Sequence, residues 1–145
     1  MDRFIEFVLN HYLLTLALAV VTFLLIQDLF ESIFNKFKSL SPMLAVAKMN
    51  SDDVAVIDVR EPHEFSKGHI ENAVNTPLGK LADQIGQFVH QKDRPVIVVC
   101  QTGARSIPAC KTLTKAGFSD VYNITGGMQA WEDSKLPIKI NKNKN

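Results

Sequence analysis

Apolar and polar positions divide this chain into stretches of different rhythm. From Phe7 to Ile26 there are twenty residues without a charge, interrupted mainly by Asn10 and His11. A helix of that length rises about 30 Å, enough to cross the hydrocarbon core of a bilayer. The spacing therefore predicts a transmembrane helix over 7–26, after a short tail at 1–6. Next, Leu29, Phe30, Ile33, Phe34 and Phe37 recur at helical intervals, with Asp28, Glu31, Asn35, Lys36 and Lys38 between them. This predicts an amphipathic juxtamembrane linker over 27–40, lying either on lipid or against a following domain.

From residue 41 the rhythm changes again. Ser41-Pro42 reads as a cap followed by a first-turn proline, which starts a helix running to about Met49. Val54–Val59 predicts a short apolar strand carrying Asp58 near its end. A short helix follows from Glu61-Pro62 through Phe65, then a brief extended piece at Ala73-Val74-Asn75. Leu78–His90 has helical periodicity. Val96–Val99 is the strongest strand signal, followed by a helix over Arg105–Lys115 that Gly117 ends. Val121–Ile124 predicts another strand, and Met128–Asp133 a last helical turn bearing Trp131. Asn141 to Asn145 are expected to be disordered. Short apolar strands alternating with helices indicate an α/β fold, a parallel sheet covered on both faces.

Composition narrows the picture. With 145 residues and a formal charge of +1, the chain suits one domain with an appendage and does not suit a nucleic-acid partner. The two cysteines, Cys100 and Cys110, form no C-x-x-C pair, and no set of residues with metal-ligand spacing stands out. For the apolar N-terminus, a membrane anchor ranks ahead of a cleavable signal peptide, because the first residues are not clearly basic and the apolar run continues past Ala17-Leu18-Ala19. A soluble core helix ranks third. Lys36 and Lys38 after the span, against Arg3 before it, tip the domain toward the cytoplasm.

Cys100 carries the candidate chemistry. It closes the run Pro95-Val96-Ile97-Val98-Val99 and opens the loop Gln101-Thr102-Gly103-Ala104-Arg105, which runs into Ser106 and a helix. Backbone N–H groups of such a turn lack helical partners, and the helix N-terminus favours an anion. Arg105 adds positive charge. A thiol in these surroundings is an activated nucleophile. The competing reading is a small buried residue at a strand end.

Three motifs in order carry a family resemblance. They are Asp58-Val59-Arg60-Glu61-Pro62 with Glu64-Phe65, Gly68-His69-Ile70 and Ala73-Val74-Asn75; Cys100-Gln101-Thr102-Gly103-Ala104-Arg105-Ser106; and Gly126-Gly127-Met128 with Trp131 and Leu136-Pro137. Over residues 41–140 the chain resembles rhodanese domains, and with its apolar leader it resembles membrane-anchored single-domain members from bacteria. The resemblance implies a five-stranded parallel sheet flanked by helices. It implies sulfurtransfer through a persulfide on Cys100, from a donor such as thiosulfate to a thiol or protein acceptor, with no cofactor and no metal. It places Gln101, Thr102, Gly103, Ala104, Arg105 and Ser106 around the substrate, with Asp58 and Arg60 in the same cleft. The implied location is the inner membrane, single-pass, with the domain in the cytoplasm and the lipid bilayer as a partner beside an unidentified membrane protein. A non-catalytic docking module is the alternative. A phosphatase or arsenate reductase is disfavoured, since related enzymes of that kind have a loop one residue longer than the five positions from Cys100 to Arg105. His69 reads as a structural residue, and Cys110 and Trp131 as packing.

Overall fold

The computed structural model describes Arg3, Phe7, Val8, residues 10–34 and residues 37–140. The tail expected at 1–6, Arg3 apart, and the disordered tail expected at 141–145 lie outside the described residues. The chain forms two compact units, Met1–Asn35 and Lys36–Asn145.

The first unit contains the helix α1 (Tyr12–Phe34). Its apolar side chains are exposed all round, among them Leu13, Leu16, Leu18, Phe23 and Leu24. Among the described residues no helix is long and apolar enough to cross a membrane. This corrects the expectation of a transmembrane helix over 7–26. Within α1 the stretch free of strongly polar residues runs from Leu13 to Ile26, fourteen residues, before Gln27, Asp28 and Glu31. That is about 21 Å of helix, short of a bilayer core of about 30 Å. The start of the predicted span is described only in part.

The second unit is an α/β sandwich. Its elements are β1 (Phe37–Leu40), α2 (Pro42–Ser51), β2 (Ala55–Asp58), α3 (Pro62–Lys67), β3 (Val74–Asn75), α4 (Leu78–Gln84), a tighter 3-10 stretch (Ile85–Gln91), β4 (Val96–Val99), α5 (Ser106–Lys115), β5 (Val121–Ile124) and α6 (Gly127–Asp133). The five strands form one parallel sheet in the order β1-β5-β4-β2-β3. β1 departs from the helical linker expected over 27–40. Phe37 continues the helical spacing of the preceding apolar residues, but Phe37–Leu40 pairs with Val121–Ile124 at the sheet edge. The strand's alternation sends Phe37 to one face of the sheet and Leu40 to the other. The domain therefore begins before residue 41.

Central strands are buried on both faces, which explains their unbroken apolar runs. Ile57, Val96 and Val98 pack against Leu113 of α5 and Leu81 of α4 on one face. Val56, Ile97, Val99 and Ile124 pack against Ala45 of α2 and against Met128 and Trp131 of α6 on the other. Period two places Cys100 on the same face as Val98, beside α5. From β2 the chain passes to β3 on one side; from β4 it passes to β5 on the opposite side. The carboxyl ends of β2 and β4 thus flank a topological switch point, where open α/β sheets bind ligands. Asp58 ends β2, and Cys100 follows β4 directly.

Candidate active site

The loop after β4 curls back on its own cysteine. Gly103 takes φ +95°, a left-handed conformation that a glycine adopts without a side-chain penalty. That turn aims the Gly103 N–H at Cys100 Sγ, 3.0 Å away. Ser106, at the start of α5, sets its hydroxyl oxygen 3.4 Å from the same sulfur. The Ser106 hydroxyl is also held from the other side, donating to Asn123 Oδ1 at 2.5 Å, with the Gly103 carbonyl 3.0 Å away. Cys100 is fully buried in this arrangement. A sulfur that accepts a backbone N–H has a lone pair directed and part of a negative charge compensated, as a nucleophilic thiolate requires.

A second network lies beneath the loop. Arg60 donates from Nε and Nη2 to the Asp58 carboxylate, with Nη2 to Oδ2 at 2.7 Å, and both side chains are enclosed. The same guanidinium donates to the Gly68 carbonyl at 2.7 Å and to Gln101 Oε1 at 3.1 Å. Asn75 ties β3 into this knot by donating to the carbonyls of Asp58 and Arg60. Asp58 and Arg60 form a saturated buried pair that reaches the loop through Gln101.

Arg105 is paired as well. Its Nη1 and Nη2 donate to the Glu64 carboxylate at 2.8 and 2.7 Å, a bidentate pair reaching from α5 to α3. Glu64 is fixed in turn by the capping box of α3, where its Oε2 accepts the Glu61 N–H at 3.0 Å. The hydrogen bond from Arg105 holds the Glu64 carboxyl down at about 2, so the carboxylate is charged throughout the neutral range. The Arg105 guanidinium is raised in turn by Glu64. Thr102 and Ala104 are exposed on the rim of the loop.

The C-terminal motif supports the loop from behind. Gly126 and Gly127 both have positive φ and open α6. Met128 N–H donates to the Cys100 carbonyl at 2.8 Å and Gln129 N–H to the Gln101 carbonyl at 3.0 Å. A Cβ on Gly127 would come within 2.3 Å of the Cys100 carbonyl oxygen. Gly127→Ala should therefore push the loop aside and slow sulfur uptake by roughly ten- to a hundredfold while the far-ultraviolet spectrum stays native. Rates matching the parent would show that the loop tolerates the shift.

Other candidates take structural places. His69 Nδ1 lies 2.8 Å from the Phe65 carbonyl, and its ring stacks on Phe65. Cys110 is buried in α5, and burial, with Cys100 nearby, pushes its thiol up to about 12. Among the described residues no group of side chains has a metal-binding arrangement. Sequence reasoning missed the site roles of Glu64 and Asn123. Glu64 was visible as the third residue of a Glu61-Pro62-x-Glu64 helix start, and Asn123 as a polar interruption of an apolar strand.

Comparisons with known proteins agree with this geometry. The family described as Rhodanese-like domain matches residues 41–134. The chain is 32% identical over 139 residues to Uncharacterized protein YibN of Escherichia coli K12, covering 95% of this chain and 97% of that one. It is 38% identical over 100 residues to Thiosulfate sulfurtransferase GlpE of Shewanella oneidensis, covering 69% of this chain and 97% of the relative. Among solved structures it resembles a rhodanese-like domain protein from Staphylococcus aureus, with TM-score 0.64 and 31% identity over 72% of this chain and 99% of the other.

Proposed function

Because the chain belongs to the rhodanese-like domain family, we propose that it is a sulfurtransferase that carries sulfane sulfur as a persulfide on Cys100. The observation that carries this reading is the loop's inward turn, which sets the Gly103 N–H and the Ser106 hydroxyl on one sulfur at the sheet's switch point. Relatives at 38% and 37% identity bear the names Thiosulfate sulfurtransferase and Sulfurtransferase, and support the same chemistry.

In the first half-reaction the Cys100 thiolate attacks the outer sulfur of thiosulfate. A sulfur–sulfur bond forms at Cys100, the donor's own breaks, and sulfite leaves with the electron pair. In the second, cyanide or a thiolate acceptor attacks the terminal sulfur, and the Cys100 thiolate departs. Neither step needs an external oxidant or a general base. Charge moves between sulfur atoms, and hydrogen-bond donors aimed at those atoms stabilise it. Steady-state thiocyanate release from thiosulfate and cyanide tests the activity. One observation favours the docking module as a second reading: Cys100 is wholly enclosed, so a donor reaches it only as the side chains over the loop part.

The exposed apolar surface of α1 supports attachment to the bacterial inner membrane, with the domain on the cytoplasmic side, where thiols stay reduced. In cell fractions the protein should remain in the membrane pellet after an alkaline carbonate wash. Deletion of residues 1–35 should release a folded, active domain, because β1 is kept. Recovery of the whole protein in the soluble fraction would contradict the attachment.

A further inference from the structure

Two guanidinium groups flank the cysteine loop, and each is matched to a carboxylate. Arg60 is paired with Asp58 inside the domain. Arg105, the more accessible of the two, is paired with Glu64 through two hydrogen bonds. Side-chain exposure of about a third for Arg105 and a quarter for Glu64 puts this second pair on the rim of the site, within reach of an incoming anion. Glu64 is not a loose partner. Its Oε2 is shared with the Glu61 N–H at the start of α3, so the helix cap and the ion pair fix one another. The electrostatic consequence is specific. A dianion approaching Cys100 meets a guanidinium whose charge is already neutralised, and it must either compete with Glu64 for the N–H donors or accept the repulsion of a carboxylate beside them.

We infer that Glu64 is a specificity-determining residue, which tunes the site away from dianionic thiosulfate and toward sulfur donors of lower charge, namely monoanionic thiosulfonates and organic persulfides. The inference rests on the sulfurtransfer reading and refines its donor. Thiosulfate and methanethiosulfonate isolate the effect, because they present the same transferable sulfur and differ by one oxygen against one methyl group, hence by one negative charge. With the thiosulfonate, the Cys100 thiolate takes the outer sulfur and methanesulfinate leaves with the electron pair. Charge and electrons balance as they do with thiosulfate and sulfite.

The experiment measures equilibrium binding of both anions by chemical-shift titration. It compares full-length Cys100→Ser with full-length Cys100→Ser/Glu64→Gln, so that no sulfur moves during the measurement. Glutamine keeps an oxygen for one Arg105 hydrogen bond and removes the charge. Thiosulfate should bind about three- to tenfold more tightly to the Glu64→Gln protein, in line with the modest strength of half-exposed ion pairs. Methanethiosulfonate should gain less than half of that factor. Glu64→Asp, which keeps the charge on a shorter arm, should not tighten thiosulfate. A thiosulfate affinity that is unchanged or weakened by Glu64→Gln, or equal gains for both anions, would overturn the inference. Glu64→Asp tightening thiosulfate as much as Glu64→Gln would also overturn it, by showing that position rather than charge decides. Persulfide formation by the parent protein, read separately by mass, decides the sulfurtransfer reading itself, so the two failures are distinguishable.

Discussion

Cys100→Ser should form no persulfide and release no thiocyanate, whereas Cys110→Ser should keep most of both activities. The two thiols share one chain and complete burial, but their surroundings differ. Cys100 Sγ receives the Gly103 N–H, a donor that supports a negative sulfur before and after transfer, and lies beside the Ser106 hydroxyl. Cys110 Sγ lies 3.8 Å from the Tyr122 carbonyl, an acceptor that offers a thiolate nothing. Its thiol is pushed up to about 12 and is protonated at any working pH. A serine at 100 is nearly isosteric, so the fold should persist and the loss is chemical. The check is thiocyanate release by both variants at equal protein concentration. Substantial turnover by Cys100→Ser would reject the persulfide route.

Arg60→Ala should cost the domain about 3–5 kcal/mol of stability, the range seen when one partner of a buried pair is removed. Asp58 is fully buried and would keep a carboxylate with no counter-charge. The same substitution strips donors from the Gly68 carbonyl and from Gln101, so the cysteine loop loosens as well. Arg60→Lys should recover little of the loss, because an ammonium cannot span the Asp58, Gly68 and Gln101 acceptors that a planar guanidinium reaches together. Urea unfolding followed by Trp131 emission gives a clean readout, since this is the chain's one tryptophan and it lies in the core. A loss below about 1 kcal/mol would mean that water or a neighbouring group compensates Asp58.

Much of this was written into the local sequence. Val96–Val99 and Val121–Ile124 read as strands because central parallel strands are apolar on both faces. The cysteine loop was legible because its turn needs a glycine at 103 and its helix follows at once. The first strand was not. Phe37 continues a helical spacing, and Lys38 and Ser39 are polar because they sit on an exposed edge; only the pairing with β5, over eighty residues away, makes Phe37–Leu40 a strand. The same limit applied to charge. Arg105 read as a positive charge beside the thiol, but its partner Glu64, 41 residues earlier, was not visible, and the enclosure of Asp58 and Arg60 is a property of the folded sheet. The transmembrane expectation came from counting twenty uncharged residues, and the described helix starts within that count.

The most direct measurement is the intact mass of the purified protein after incubation with thiosulfate and removal of excess donor. The account predicts a gain of one sulfur atom, located at Cys100 by fragmentation, absent from Cys100→Ser, and reversed by cyanide. An unchanged mass after treatment with thiosulfate and with methanethiosulfonate, from a protein shown to be folded, would contradict it and leave the domain a docking module.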